Sequence, residues 1–147
     1  MAIIVEPERM IEFASVAKDL TKSIWKRTKK IDGAILALIE ENGDLKFVDT
    51  TQEAALVDAI NDLMKKKIAC VISIFEADMV EDELVDKKEN ERLVRLMKVR
   101  KVITLVSGQC FLFAYSSKIK DRDSPLEDFK SINPFEIPVM NRNLQFF

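Results

Sequence analysis

The sequence predicts an α/β (α+β) single domain, with a mixed central sheet of about five strands covered by helices. Three observations carry this expectation. Two stretches place apolar residues at helical spacing. Two short runs, Ala34–Ile39 and Ile68–Phe75, are apolar throughout. Turn chemistry separates these pieces. A strand without a polar face is one buried on both sides, so both runs are expected in the interior of the sheet.

The first helix is expected over about 7–29. Pro7 suits a first helical turn because its missing N–H has no partner there. Met10, Phe13, Ala14, Ala17, Leu20 and Ile24 form the apolar stripe, and Lys26, Arg27, Lys29 and Lys30 crowd the end where cations are favoured. Gly33 closes the helix and Ala34–Ile39 follows as a strand. Asn42-Gly43 is a strong hairpin signal because both residues tolerate positive φ. Leu45 to Asp49 is the return strand.

Thr50 and Glu53 read as a capping box opening a second helix, with Leu56, Ala59, Ile60 and Leu63 inward and Lys65–Lys67 at its end. The strand Ile68–Phe75 comes next. Residues 76–91 then hold eight acids, and 92–101 hold five bases and no acid. Acids early and bases late complement a helix dipole, so the charged segment 76–101 is expected as an inserted helix over about 82–98. Val102–Val106 and Cys110–Tyr115 form a second hairpin. Ser124-Pro125-Leu126-Glu127 carries the pattern of another helix start. The domain therefore divides into a core over 1–116 and an irregular extension over 117–147, packed on the core and ending in Phe146-Phe147.

Composition narrows the function. The chain has 147 residues, 48 % apolar and 33 % charged, with net charge −2 and no histidine. The missing imidazole removes Ser–His–Asp and Cys–His nucleophile systems and His-ligated metal sites. No phosphate loop or metal-ligand spacing is present, so no cofactor and no metal is expected. A small net charge gives no global field for nucleic acid or membrane. Arg92, Arg95, Lys98, Arg100 and Lys101 are basic, but the acids beside them oppose a polyanion. No stretch approaches the ~20 apolar residues of a membrane helix. Cys70 and Cys110 both lie in apolar runs and are expected as buried, reduced thiols of a cytoplasmic protein.

Some residues resemble a known family. Lys30-Ile31-Asp32-Gly33-Ala34-Ile35 is similar to the Asp-Gly-Ala segment of diadenylate cyclase domains, which follows a helix and opens a strand. Arg100-Lys101-Val102-Ile103-Thr104-Leu105 resembles a later strand of that family, and Ile68–Phe75 sits where the family has a strand directly after a helix. About 40 residues correspond, in short pieces. The resemblance implies a small nucleotide ligand near Asp32, Gly33 and Ala34, with Asp32 in the place of the family's metal- and ribose-supporting aspartate. The family's Arg-His-Arg phosphate signature is missing, since Asp49 runs straight into Thr50. The resemblance thus implies a degenerate relative without catalysis, acting as a sensor or a binding domain. The order helix, hairpin, helix, three strands also resembles the roadblock and profilin-like adaptors, which dimerise; no residue motif accompanies that likeness.

Two further readings stand beside these. The segregated charges of 76–101 suit a homodimer that places acidic end against basic end, with Leu84, Val85, Leu93, Arg92 and Arg95 as the interaction surface. The acids of 76–83 (Glu76, Asp78, Glu81, Asp82) follow a central strand and suggest a carboxylate- and Mg²⁺-dependent enzyme as the alternative. A non-catalytic ligand-sensing or protein-interaction role is the favoured expectation.

Overall fold

The computed structural model describes residues 5–65, 67–87 and 91–137, and side chains are described outside 81–97 and 136. Two helices, α1 (Pro7–Thr28) and α2 (Glu53–Met64), pack on a six-stranded sheet. The strands are β1 (Ala34–Glu40), β2 (Leu45–Val48), β3 (Ile68–Lys87), β4 (Glu91–Ser107), β5 (Leu112–Lys118) and β6 (Lys130–Ile132). Their spatial order is β2-β1-β3-β4-β5-β6.

Every neighbouring pair is antiparallel, so the expected mixed sheet is corrected. The reason lies in the connection through α2. It carries the chain past β1, so that β2 and β3 flank β1 and both oppose it. The crossover joins strands that are not neighbours, and no parallel pair results. Both apolar runs are interior strands, β1 between β2 and β3, and β3 between β1 and β4.

Alternation along the strands sorts two cores. Ala37, Ile39, Cys70, Ile72, Ile74, Val102 and Val106 meet Phe13, Ala17, Ile24 and Trp25 of α1. On the opposite face, Leu36, Leu38, Ile68 and Val71 meet Ala59 of α2, with Leu56 and Leu63 beside it. The rest of that face, Phe75, Met79, Ile103, Leu105 and Ala114, is covered by Ile132 and Ile137 of the C-terminal segment. A 3-10 turn at Pro134–Glu136 delivers Ile137.

α1 begins with proline and ends at Lys29, whose φ of 58° turns the chain out while its N–H donates to Trp25 O at 2.8 Å. Inside the core, Thr21 and Thr104 face each other with Oγ1 atoms 2.8 Å apart. Thr21 donates its only hydroxyl proton to Ala17 O, so Thr104 is the donor to Thr21. This bond joins α1 to β4 across the main core.

Four local expectations are corrected. Thr50 does not cap α2: its hydroxyl donates to Ala34 O, and Asp49 instead accepts from the N–H and hydroxyl of Thr51. The helix starts three residues later, after Gln52. Ser124-Pro125 opens no helix, because Asp121 takes the Ser124 N–H and hydroxyl at 2.8 and 2.7 Å and holds a loop. Cys110 is exposed in the turn before β5, while Cys70 is buried; both thiols are free. The helix expected over 82–98 is a β-hairpin arm formed by the far ends of β3 and β4. Its register sets Asp78 opposite Arg100, Glu83 opposite Arg95, Asp86 opposite Arg92 and Lys87 opposite Glu91. The segregated charges complement each other across strands, an alternative to the helix dipole with the same sequence signature.

The C-terminal tail with Phe146 and Phe147 lies outside the described residues. Among the described residues, no helix is long and apolar enough to cross a membrane.

The threonine pair predicts an asymmetry. Thr21→Val strands the buried Thr104 hydroxyl and should cost about 1–3 kcal/mol, whereas Thr104→Val leaves Thr21 bonded to Ala17 and should cost about 1 kcal/mol or less. Urea unfolding of the two variants measures the difference. The thiols make a second prediction. Burial pushes the Cys70 thiol up to about 12, outweighing the backbone bond from Ser107 that lowers it. A thiol-reactive dye should therefore label only Cys110 in the folded protein, and both cysteines after unfolding.

Candidate functional site

The most densely bonded polar cluster gathers where the β3–β4 arm leaves the sheet. β1 pairs with β3 only as far as Phe75. Glu76 is the next residue, and its side chain is 4 % exposed. A carboxylate buried to this degree needs partners for both oxygens, and Glu76 has four donors. Arg122 approaches with both terminal nitrogens, at 2.7 and 2.8 Å. Arg100 Nε donates at 3.2 Å and the Ile31 backbone N–H at 2.7 Å.

Three segments distant in sequence meet here. Ile31 follows α1, Arg100 belongs to β4, and Arg122 lies in the loop after β5. Arg122 also stacks over the Trp25 ring at 5.5 Å, and Trp25 Nε1 donates to Ser124 O at 2.9 Å. Arg100 further pairs with Asp78 at 3.2 Å. Desolvation alone would raise the Glu76 carboxyl. The bonds from Arg122, Ile31 and Arg100 more than offset it and hold the group at about 2.

This geometry bears on the carboxylate alternative. A carboxylate saturated by two guanidiniums and an amide has no free lone pair directed at a metal, and one ionised down to pH 2 is a poor general acid. Asp78 is exposed and paired to Arg100. The side chains of Glu81 and Asp82 fall outside the described set. Among the described residues, no three His, Cys, Asp or Glu side chains gather in a metal-binding arrangement.

The residues at which the sequence resemblance leads one to expect a nucleotide sit at the edge of the same cluster. Asp32 is 81 % exposed and pairs with Lys30 at 3.2 Å. Gly33 has φ of 66°, a left-handed turn that glycine adopts without strain, and Ala34 starts β1. The structure thus brings Asp32, Gly33 and Ala34 next to Glu76 through Ile31, with Asp32 turned to Lys30.

The expected interaction residues all fall on the arm. Leu84 stands opposite Val94, Val85 opposite Leu93, Asp86 opposite Arg92 and Glu83 opposite Arg95. Among the described residues, ten consecutive pairs, from Asp78–Arg100 to Lys87–Glu91, have no third strand on either side. At strand spacing this is a ribbon about 30 Å long.

A separate groove of about 370 Å³ lies between α1 and β5, lined by Met10, Ile11, Ala14, Lys18, Phe113 and Tyr115. Lys18 rests over the Tyr115 ring at 4.2 Å.

The chain was compared with protein-family models, curated proteins and solved structures. It matches none of them.

Sequence reasoning missed Arg122 and the Ile31 amide as partners of Glu76; no local pattern marks either. The ribbon did leave a signal: charges mirrored about residue 89, acid for base, are what a hairpin centred there requires.

Glu76 predicts a pH dependence. Its folded value of about 2 lies below the ordinary 4.5. The stability it contributes is therefore complete above pH 4.5 and is lost as pH falls toward 2. Because both arginines are half-exposed, the contribution is put at about 2 kcal/mol rather than the larger figure for a fully buried pair. Glu76→Gln should lower stability by about that amount at pH 7 and flatten the decline between pH 4.5 and 2, both read from denaturant melts across pH.

Proposed function

We propose that this domain is a non-catalytic protein-interaction module whose working part is the β3–β4 ribbon. One observation carries the reading: the two strands run ten pairs beyond the sheet. A lone two-stranded hairpin is marginal in water. Its outer edges also offer unpaired N–H and C=O groups to another chain. A fold has no need of such an arm for its own core. Near the sheet, Met79 still packs with Phe75 and Ile103, but Val80 is already 56 % exposed.

The Glu76 cluster supports this reading as a mounting. It ties the root of the ribbon to the end of α1 and to the loop after β5, so the arm leaves the body in a defined direction. This favours contact over nucleotide sensing, for which the family resemblance is the support and in which Asp32 already has Lys30 as its partner.

Shortening the arm tests the proposal. Residues 80–98 are replaced by Asn-Gly between the paired Met79 and Val99, a turn suited to a two-residue hairpin. The shortened chain should keep its melting temperature within a few degrees. A loss of ten degrees or more would show that the arm serves the fold, and would defeat the reading.

A further inference from the structure

We infer that the ribbon's partner is a second copy of this chain, joined along the free edge of β4. This rests on the reading of the ribbon as an interaction arm. The edge is open over a defined length. β5 ends opposite Lys101, and Ile119 N–H takes the Arg100 carbonyl. From Glu91 to Val99, no strand lies along this edge of β4, the one turned away from β3, among the described residues.

A twofold pairing must set a strand against its own copy, running antiparallel. That leaves two choices. The β3 arm carries acids at 76, 78, 81, 82, 83 and 86. Every antiparallel self-register that overlaps six or more residues of 76–87 places one carboxylate opposite another. Like charges directly opposite destabilise a pair, so the β3 edge repels its copy in any register long enough to matter.

The β4 edge behaves differently. Its bases recur at 92, 95 and 98. A twofold axis normal to a sheet sets one residue against its own copy, because directly opposed side chains share a face. With the axis at Val94, the seven residues 91–97 overlap. Val94 then meets Val94, Leu93 meets Arg95, Arg92 meets Leu96, and Glu91 meets Met97 of the second copy. No charge opposes one of its own sign, and the axis falls on an apolar pair. The two bodies lie at opposite ends of the shared ribbon, so they do not collide. The product is a four-stranded sheet, β3-β4-β4-β3, which passes the minimum for independent stability that each two-stranded ribbon falls short of.

Leu96 provides a probe. Within its own ribbon it stands opposite Asp82, so Leu96→Arg faces an acid there and would put Arg against Arg92 of the second copy. Sedimentation equilibrium should show the wild-type chain dimerising up to several hundred micromolar, Leu96→Arg weakening the dimer about tenfold or more, and the Asn-Gly shortened chain staying monomeric with its melting temperature kept. In a Cys110→Ser background, mild oxidation should link Val94→Cys copies and leave Val80→Cys copies unlinked. A wild-type monomer across that range, a dimer that survives shortening, or cross-linking through Val80→Cys in place of Val94→Cys would each overturn the inference. If the wild-type chain is monomeric while the shortened chain melts normally, self-pairing fails and the interaction reading does not. If the shortened chain unfolds, that reading fails first.

Discussion

Seventeen consecutive backbone pairs between β3 and β4 carry both halves of this molecule. Near the turn that joins β4 to β5, the two strands form the middle of the sheet. β1 and β5 take up their outer edges, α1 covers one face, and α2 and the C-terminal segment share the other. Farther out, among the described residues, the same two strands have only each other. The body and the arm are thus one continuous ladder with different surroundings, and the arm inherits its direction from the twist of the body.

The change of surroundings falls at one residue. Phe75 is the last β3 position paired with β1, and Glu76 is the first without that neighbour. A buried carboxylate there would be costly if left alone, since desolvation disfavours its charge. Two guanidiniums and one amide repay that cost by converging on it. Breaking a buried pair costs more than building one gains. The cluster's role is therefore specificity: it admits one arrangement of α1, the arm and the loop after β5. Arg122 adds a cation–π contact with Trp25, so the same side chain links the polar staple to the apolar core.

Local pattern made the body legible. Alternation and continuous apolar runs marked β1 and β3, helical spacing marked α1 and α2, and Asn42-Gly43 marked the first hairpin. Misreadings arose where one pattern serves two structures. Thr50-x-x-Glu53 satisfies a capping box, but the Thr50 hydroxyl is turned to Ala34 O instead. Ser124-Pro125 has the form of a helix start, but its hydroxyl is already held by Asp121. Acids followed by bases suit a helix dipole and equally a hairpin. Period decides between the last two: Leu84-Val85 and Leu93-Val94 put adjacent apolar residues at mirrored positions, a poor helix stripe and a natural cross-strand set.

The sequence alone determined which segments are buried on both faces, the turn at Asn42-Gly43, and that imidazole chemistry is absent. These follow from short-range properties: side-chain polarity, backbone freedom at glycine, and the fixed periods of helix and strand. Only the tertiary structure decided that the sheet is wholly antiparallel, that Glu76 belongs to Arg122 forty-six residues away, and that Thr21 meets Thr104. Those outcomes depend on which strand edge each element finds. Strand pairing is chosen by the summed burial and hydrogen bonding of the whole sheet, a quantity no local window contains.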